Sequence, residues 1–473
     1  MNIPTRRKLV INFVLLSGGE AVSKIFAFIA FAYLARILGP DVYGDLEFAL
    51  AATLFFNLAV EGGLGLLGAR EIAKDKESVS KLTFHIIVMR CILAVGSFLL
   101  LMVFTVLCNK SPQEKQLVIL YGLTLFGTPG LLQWVFQGFD RMHWVAISSV
   151  LRWSLFAGVV LLYVKDPTRA WVVPLAELGA VGCVVILNIG LFAHGFGKIW
   201  RPFDLPFAIS LMRQAVPIGL TQVMWGLKIY LPTILLGLLI GGEQVGWFGS
   251  AHRIVLALHG FVWMYYFNLY PSISRCSQQT PEALQQLAGK SIQMTAWAAV
   301  FVGATGTLFA KDLINIVYGT QYAEAVIGFK VLIWLLSFAL ISGHYMYILI
   351  AYNKQWLELL SAVCGGIASI IINILLIPKY GFIGASLAVL CSETFIWSLN
   401  YYFVRREVIK IRFMIHLIKP LLAGAIMVAL LQIMPSDNFW IMGSASLILY
   451  GLGLLILQPN IIGDLRLLIT SKQ

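Results

Sequence analysis

Charge is scarce in this chain. Only 12% of its 473 residues are Asp, Glu, Lys or Arg, against 59% hydrophobic. With a mean hydropathy of +0.86, a soluble fold could not cover so much apolar surface. Cysteine is scarce too: six, scattered, with no Cys-x-x-Cys pair. That argues against a disulfide framework and a thiolate metal site. The Gly-x-x-x-x-Gly-Lys-Ser/Thr loop is missing, which excludes ATP hydrolysis by that route. Also missing are a His-Glu-x-x-His stretch and a paired-aspartate motif, and the seven histidines are dispersed. His252 and His259 share a helix face but lack a third ligand, so packing or hydrogen bonding is their expected role. No metal, cofactor or nucleic acid is expected. No segment is polar enough to form a soluble domain. The external loops are too short for the acidic or arginine-rich loop of a membrane glycosyltransferase or polymerase. A cleavable signal is not expected, because Arg6, Arg7 and Lys8 precede a run too long for a signal peptide.

What the chain has is apolar runs. About 14 are long enough to span a bilayer, which takes roughly 20 apolar residues each. The expected fold is an all-α polytopic membrane protein. Its net charge of +12 concentrates in alternate loops. One set holds Arg6, Arg7, Lys8, Arg70, Lys74, Lys76, Lys81, Arg141, Lys198, Arg201, Arg275, Lys290, Lys354, Arg405, Arg406, Lys410, Arg412, Arg466 and Lys472. The other holds Lys110, Lys115, Lys165, Arg169 and Lys379. By the positive-inside rule the first set and both termini are cytoplasmic.

The stretch from Arg213 to Cys276 organises the rest. Two spanning runs flank the turn Ile240-Gly241-Gly242-Glu243-Gln244, with Lys228 deep in the first and Arg253 about two turns into the second. The start of the chain has the same plan. Leu9–Ile37 carries Lys24 near its middle, Leu38-Gly39-Pro40 turns the chain, and Gly44 and Ala49 open the next run as Gly246 and Ala251 open theirs. This reads as a parallel repeat of two six-helix lobes in a pseudo-two-fold arrangement. The expected layout is a lobe at 1–196, an interfacial linker at 197–212, a second lobe at 213–412, and helices 13 and 14 with a tail at 413–473. Pro217 and Pro232 flank Lys228, and interrupted helices in corresponding places often line a transport route.

An ionisable residue inside a membrane is costly and marks a candidate site. The cations are Lys24, Arg90, Arg152, Lys228 and Arg253; the anions include Glu20, Glu61, Glu177 and Glu393. Each has a bland reading. Glu20 and Lys24 are four apart and could satisfy each other. Arg90 and Arg152 could snorkel to the interface. No Asp or Glu lies within a turn of Lys228 in sequence, which makes it the best single candidate. The aromatics Trp263, Tyr265, Tyr266, Phe267 and Tyr270 follow Arg253; an interface belt is their expected role. Several cations facing one cavity would draw in an anionic headgroup such as a pyrophosphate. A drug-cation exporter would need a cavity of carboxylates, with Glu20 and Glu393 as ion-coupling candidates.

The order of short motifs also resembles a family. Ala35-Arg-Ile-Leu-Gly-Pro-Asp-Val-Tyr-Gly44, Gly62-Gly-Leu-Gly65 and Ala69-Arg-Glu-Ile-Ala73 resemble the opening of polysaccharide-biosynthesis membrane proteins, the Wzx-type flippases of O-antigen and related glycans. Further matches are Trp134-Val-Phe-Gln-Gly138, Ile234-Leu-Leu-Gly237 with Val245-Gly246, Tyr318-Gly-Thr-Gln-Tyr322 and Pro378-Lys-Tyr-Gly-Phe-Ile-Gly-Ala385.

The resemblance implies the multidrug/oligosaccharidyl-lipid/polysaccharide exporter fold, two lobes around a cavity working by alternating access. It implies an undecaprenyl-pyrophosphate-linked oligosaccharide as substrate, the bacterial cytoplasmic membrane as location, and polysaccharide polymerase and chain-length proteins as partners. It maps the family's basic cavity residues onto Lys24, Lys228 and Arg253, and a lipid-tail role onto 414–458. One departure stands out. Relatives often carry an acidic residue just before the Ile-Leu-Leu-Gly stretch; here Leu231-Pro232-Thr233 stand there, which argues against ion coupling at that position. The alternatives are a multidrug/cation antiporter of the same fold, or an enzyme such as a glycan polymerase or glycosyltransferase.

Overall fold

A computed structural model describes residues 3–411, 413–434 and 438–459, with side chains from residue 15 onward. Arg412, Arg466, Lys472 and the side chains of Arg6, Arg7 and Lys8, counted above among the basic loop residues, lie outside that part, as does most of the tail. Among the described residues the chain is α-helical with short 3-10 turns and no strand. Ten helices are long and apolar enough to cross a membrane, or up to eleven if the bent pair at Leu308–Ala310 is one span. The protein is a multi-pass membrane protein.

The chain divides into two compact units, residues 1–249 and 250–473. The first holds α1 (Ile3–Glu61), α2 (Leu64–Lys74), α3 (Val79–Leu107), α4 (Pro112–Gly122), α5 (Gln133–Gly138), α6 (Met142–Tyr163), α7 (Val172–Phe196) and α8 (Leu205–Leu239). α9 (Glu243–Ser277) begins there and continues into the second unit. That unit adds α10 (Pro281–Leu308), α11 (Ala310–Tyr318), α12 (Ala325–Leu332), α13 (Trp334–Ala351), α14 (Gln355–Glu407), α15 (Phe413–Ile433) and α16 (Phe439–Leu457).

α1 is two spans joined at the Gly39-Pro40 turn read from sequence. Gly39 has φ 74° and ψ 168°, a conformation open to glycine and costly for any residue with a Cβ. Pro40 then starts the second arm, where its missing N–H is no loss. α14 repeats the device at Gly381 (φ 58°, ψ −135°).

The second arm of α1 receives α8, which is why α8 falls in the first unit although the sequence repeat begins at its start. Gly44 and Gly246, paired in the sequence as openers of two runs, bring backbones into contact. A Cβ on Gly44 would lie 2.2 Å from the Gly242 carbonyl oxygen; one on Gly246 would lie 2.0 Å from that of Pro40. Small residues permit this approach, and close packing is what holds helices together in lipid. α8 runs unbroken through Pro217 and Pro232, so those prolines do not interrupt the span as the sequence suggested. The Thr221 hydroxyl donates to the Pro217 carbonyl at 3.1 Å, the ordinary side-chain bond of a threonine to the turn before it.

Between α7 and α8 the chain is non-helical only at 197–204. Asp204 caps α8 by accepting from the Phe207 N–H at 3.1 Å, and its carboxylate takes Lys81 at 2.8 Å. The Asp204 N–H donates to His85 Nε2 at 2.9 Å, and His85 stacks on Phe203. The connection is thereby tied to the start of α3. In the second unit α15 lies on α10 and α16 on α15. The Tyr450 hydroxyl donates to the Trp297 carbonyl at 2.9 Å, and the Trp297 indole donates to Gln458 at 2.6 Å. The remaining faces of α15 and α16 expose Ile426, Ile433, Trp440, Leu447 and Ile456, as lipid-facing surfaces should.

Candidate functional site

The buried charges sort into two kinds. Arg90, on α3, is 1% exposed, and its Nη2 donates to Glu61 at the end of α1. Arg152, on α6, donates through Nε at 2.9 Å and through Nη2 to the same oxygen of Glu177 on α7. Each guanidinium is thus spent on a carboxylate from a neighbouring helix. A fork with five donors suits this bidentate or bridging role.

Lys24 and Glu20 are different. Both are exposed on the first arm of α1. Neither makes a hydrogen bond or ion pair among the described residues, so the four-residue spacing does not produce the expected pair. At 100° per residue, Lys24 lies about 100° around the helix from Ile25, about 140° from Ile29 and about 160° from Val22. Val22, Ile25 and Ile29 form the exposed apolar stripe of this arm. The opposite flank is covered further along by α6: Phe31 packs on Trp153 and Phe156, and a Cβ on Gly19 would lie 2.5 Å from the Ala146 methyl. Glu20 and Lys24 therefore sit beside the helix contact, off the apolar stripe.

Lys228 is half-buried on α8, with its Nζ 5.0 Å from the centre of the Trp225 ring. The neighbouring Gly226 seats Leu58 of α1, which fixes the rotation of α8 about its axis. Lys24 and Lys228 thus belong to one unit, Lys24 on α1 and Lys228 on α8, which packs on α1. In the second unit, Arg253 is half-buried and His252 buried near the start of the α9 segment, and Glu393 is buried on α14.

Sequence reasoning missed a polar cluster here. It gave Tyr266 an interface role, yet Tyr266 is 3% exposed. Its hydroxyl donates to the Leu340 carbonyl at 2.6 Å and lies 2.8 Å from His344 Nδ1. His344 Nε2 lies 2.6 Å from the Ser291 hydroxyl, itself 2.6 Å from that of Tyr265. Trp263 and Phe267 of the same aromatic run are exposed, so only part of it is belt-like. No short-range pattern links residues 265, 291 and 344; only the solitary histidine in an apolar run hinted at them. Tyr265 also lines a cavity of about 360 Å³ with Phe261, Thr295, Ala298 and Leu340.

A protein of Escherichia coli strain K12 named "Putative O-antigen transporter" is 24% identical over 84% of this chain and 96% of its own length. Among solved structures, the lipid II flippase MurJ in an inward closed conformation superposes with a TM-score of 0.77 at 15% identity, over 95% of this chain and all of that one. An inward-facing multidrug resistance MATE family transporter of the MOP superfamily gives 0.67 at 14% identity, over 86% and 98%. These relatives are transporters, not enzymes, and the structural likeness establishes the fold. The polysaccharide biosynthesis protein family matches residues 9–277, more than half of the sequence, and the chain belongs to that family.

Proposed function

We propose that this protein is a flippase for a lipid-linked oligosaccharide. It would carry an undecaprenyl-pyrophosphate-linked repeat unit across the bacterial cytoplasmic membrane by alternating access, through roughly 14 crossings with both termini inside. The observation that carries the reading is Lys24, an exposed ammonium within a membrane span that makes no ion pair among the described residues, off the apolar stripe of its helix. Such a charge is retained at a cost and calls for an anionic partner. A pyrophosphate on a polyprenol is a membrane-borne anion of the required kind. Lys228, of the same unit, would share its charge. Arg90 and Arg152, already bonded to carboxylates, would hold the helices in place around them. The lipid tail would remain in the bilayer, beside α15 and α16, and no covalent bond would change. Polymerase and chain-length proteins would take the product on the far side.

The cation-antiporter reading has one observation of its own: Glu20, a carboxylate one turn from Lys24, exposed and without an ion pair among the described residues. One experiment separates the two. Lys24→Ala and Glu20→Gln are placed in the producing strain at equal membrane levels. The flippase reading expects Lys24→Ala to lose surface glycan and accumulate lipid-linked precursor. Normal glycan in Lys24→Ala, with new sensitivity to toxic cations in Glu20→Gln, would overturn it.

A further inference from the structure

The cluster behind the second unit's cavity fixes its own proton positions. A carbonyl oxygen can only accept, and a hydroxyl has one proton to give. The Tyr266 proton goes to the Leu340 carbonyl at 2.6 Å, so the Tyr266 oxygen must accept from His344 Nδ1 at 2.8 Å. The Ile341 carbonyl, 3.2 Å from the same nitrogen, agrees: Nδ1 carries the hydrogen. A neutral imidazole then has a bare Nε2, which accepts from Ser291 at 2.6 Å. With its proton given away, Ser291 accepts from Tyr265 at 2.6 Å. The result is a one-way chain, Tyr265 to Ser291 to His344, ending on the cavity wall at Tyr265.

We propose that His344 is a proton-binding site, loaded from the cavity lined by α9, α10 and α13 through the hydroxyls of Tyr265 and Ser291. A proton from water adds to the Tyr265 oxygen. The Tyr265 hydrogen passes to Ser291, and the Ser291 hydrogen passes to His344 Nε2. Tyr265 and Ser291 end neutral, the imidazole becomes imidazolium, and the hydrogen bonds along the chain reverse. Tyr265 and Thr295 are the polar side chains on the cavity's otherwise apolar wall, so a water that enters finds its partners there.

His344 is fully enclosed. Its hydrogen bonds go to Tyr266 and Ser291 side chains and to the Ile341 carbonyl, none of them to a carboxylate. From α9, Tyr265 and Tyr266 face the ring. α10 offers Ser291, with Lys290 beside it in the chain. α14, also packed on α13, carries the buried Glu393 and the half-buried Tyr401. An imidazolium without a counter-charge is costly in such a place. Proton binding therefore favours whichever arrangement of these helices opens the ring to water, and that difference is what couples a proton to a conformational change. The coupling role rests on the transport reading given above; the proton site itself does not.

The test uses the full chain in lipid nanodiscs without any glycan lipid, so its failure leaves the flippase reading standing. A pH jump from about 8 to about 3.5, reaching below the range in which a free histidine charges because the enclosed imidazolium has no counter-charge, is followed with a pH dye. Nitrogen NMR of labelled histidine is recorded alongside. Expected are an Nδ1–H tautomer at the higher pH and about one proton fewer taken up by His344→Gln than by the wild type. Ser291→Ala should slow uptake at least tenfold, and Tyr265→Phe should do the same. Equal uptake by His344→Gln, an Nε2–H tautomer, or unchanged rates in Ser291→Ala and Tyr265→Phe would overturn the proposal. Should His344→Gln fail to fold, the two hydroxyl variants and the wild-type tautomer still decide it.

Discussion

Glu61 and Arg90 offer an asymmetric perturbation. Arg90 is 1% exposed and Glu61 31%. The Nε and Nη1 atoms of Arg90 are buried and make no hydrogen bond, so the Glu61 carboxylate is the guanidinium's main compensation. Glu61→Gln leaves a buried cation without a counter-charge, a situation that typically costs about 3–5 kcal/mol. Arg90→Met removes the buried charge and leaves a carboxylate that water can reach, so its cost should be at most about half as large. The double variant removes both charges and should recover to within about 2 kcal/mol of the wild type. At about 2–4 °C per kcal/mol for a unit of this size, Glu61→Gln should melt roughly 6–20 °C lower. Thermal unfolding in detergent, read by tryptophan fluorescence, measures all three. Refutation would be Arg90→Met falling further than Glu61→Gln, or a double variant as unstable as Glu61→Gln. Retained transport in the double variant would further show that Arg90 does not bind the headgroup.

Other outcomes follow from the same geometry. Gly39→Ala places a Cβ at φ 74° and should cost about 1–3 kcal/mol, seen as a lower melting temperature with wild-type helix content by circular dichroism. Lys81 beside Asp204, which also accepts the Phe207 N–H, holds the Asp204 carboxyl below the usual carboxylate range. Its contribution to stability is full above the unfolded value of about 4 and fades as pH falls through the lower folded value. Asp204→Asn should therefore melt lower than the wild type at pH 7, and the gap should close in strong acid; a gap independent of pH would contradict this. Gly246→Leu cannot be accommodated where a Cβ already lies 2.0 Å from the Pro40 carbonyl oxygen, and should abolish folded protein on gel filtration, whereas Gly451→Leu, with open space around it, should not.

The helical membrane class was legible because apolar length is a direct physical demand of the bilayer. So was the turn at Gly39-Pro40, where two residue types with opposite backbone limits stand together. Gly44 and Gly246 stood out in sequence as openers of two runs, but the approach of their backbones to one another did not. Interactions between helices were hidden. Arg90 and Glu61 are 29 residues apart, and Ser291 and His344 are 53 apart, so only the packing joins them. The sequence offered Glu20 and Lys24 as a ready pair, but spacing alone does not set the rotamers of two long side chains, and the two stay apart although both are exposed on the same arm. Two prolines in α8 looked like breaks, yet the helix runs through both, because a span packed on neighbouring helices tolerates the loss of a backbone bond.

The most direct measurement concerns Lys24. Purified protein is placed in proteoliposomes with a fluorescent pyrophosphate-linked polyprenol oligosaccharide, and the fraction reaching the opposite leaflet is read by membrane-impermeant quenching. Loss of one charge-assisted contact costs about 1.5–3 kcal/mol, roughly a ten- to hundredfold change. Translocation should fall by that factor in Lys24→Ala and largely return in Lys24→Arg. Wild-type translocation by Lys24→Ala would contradict the claim that this ammonium receives the pyrophosphate.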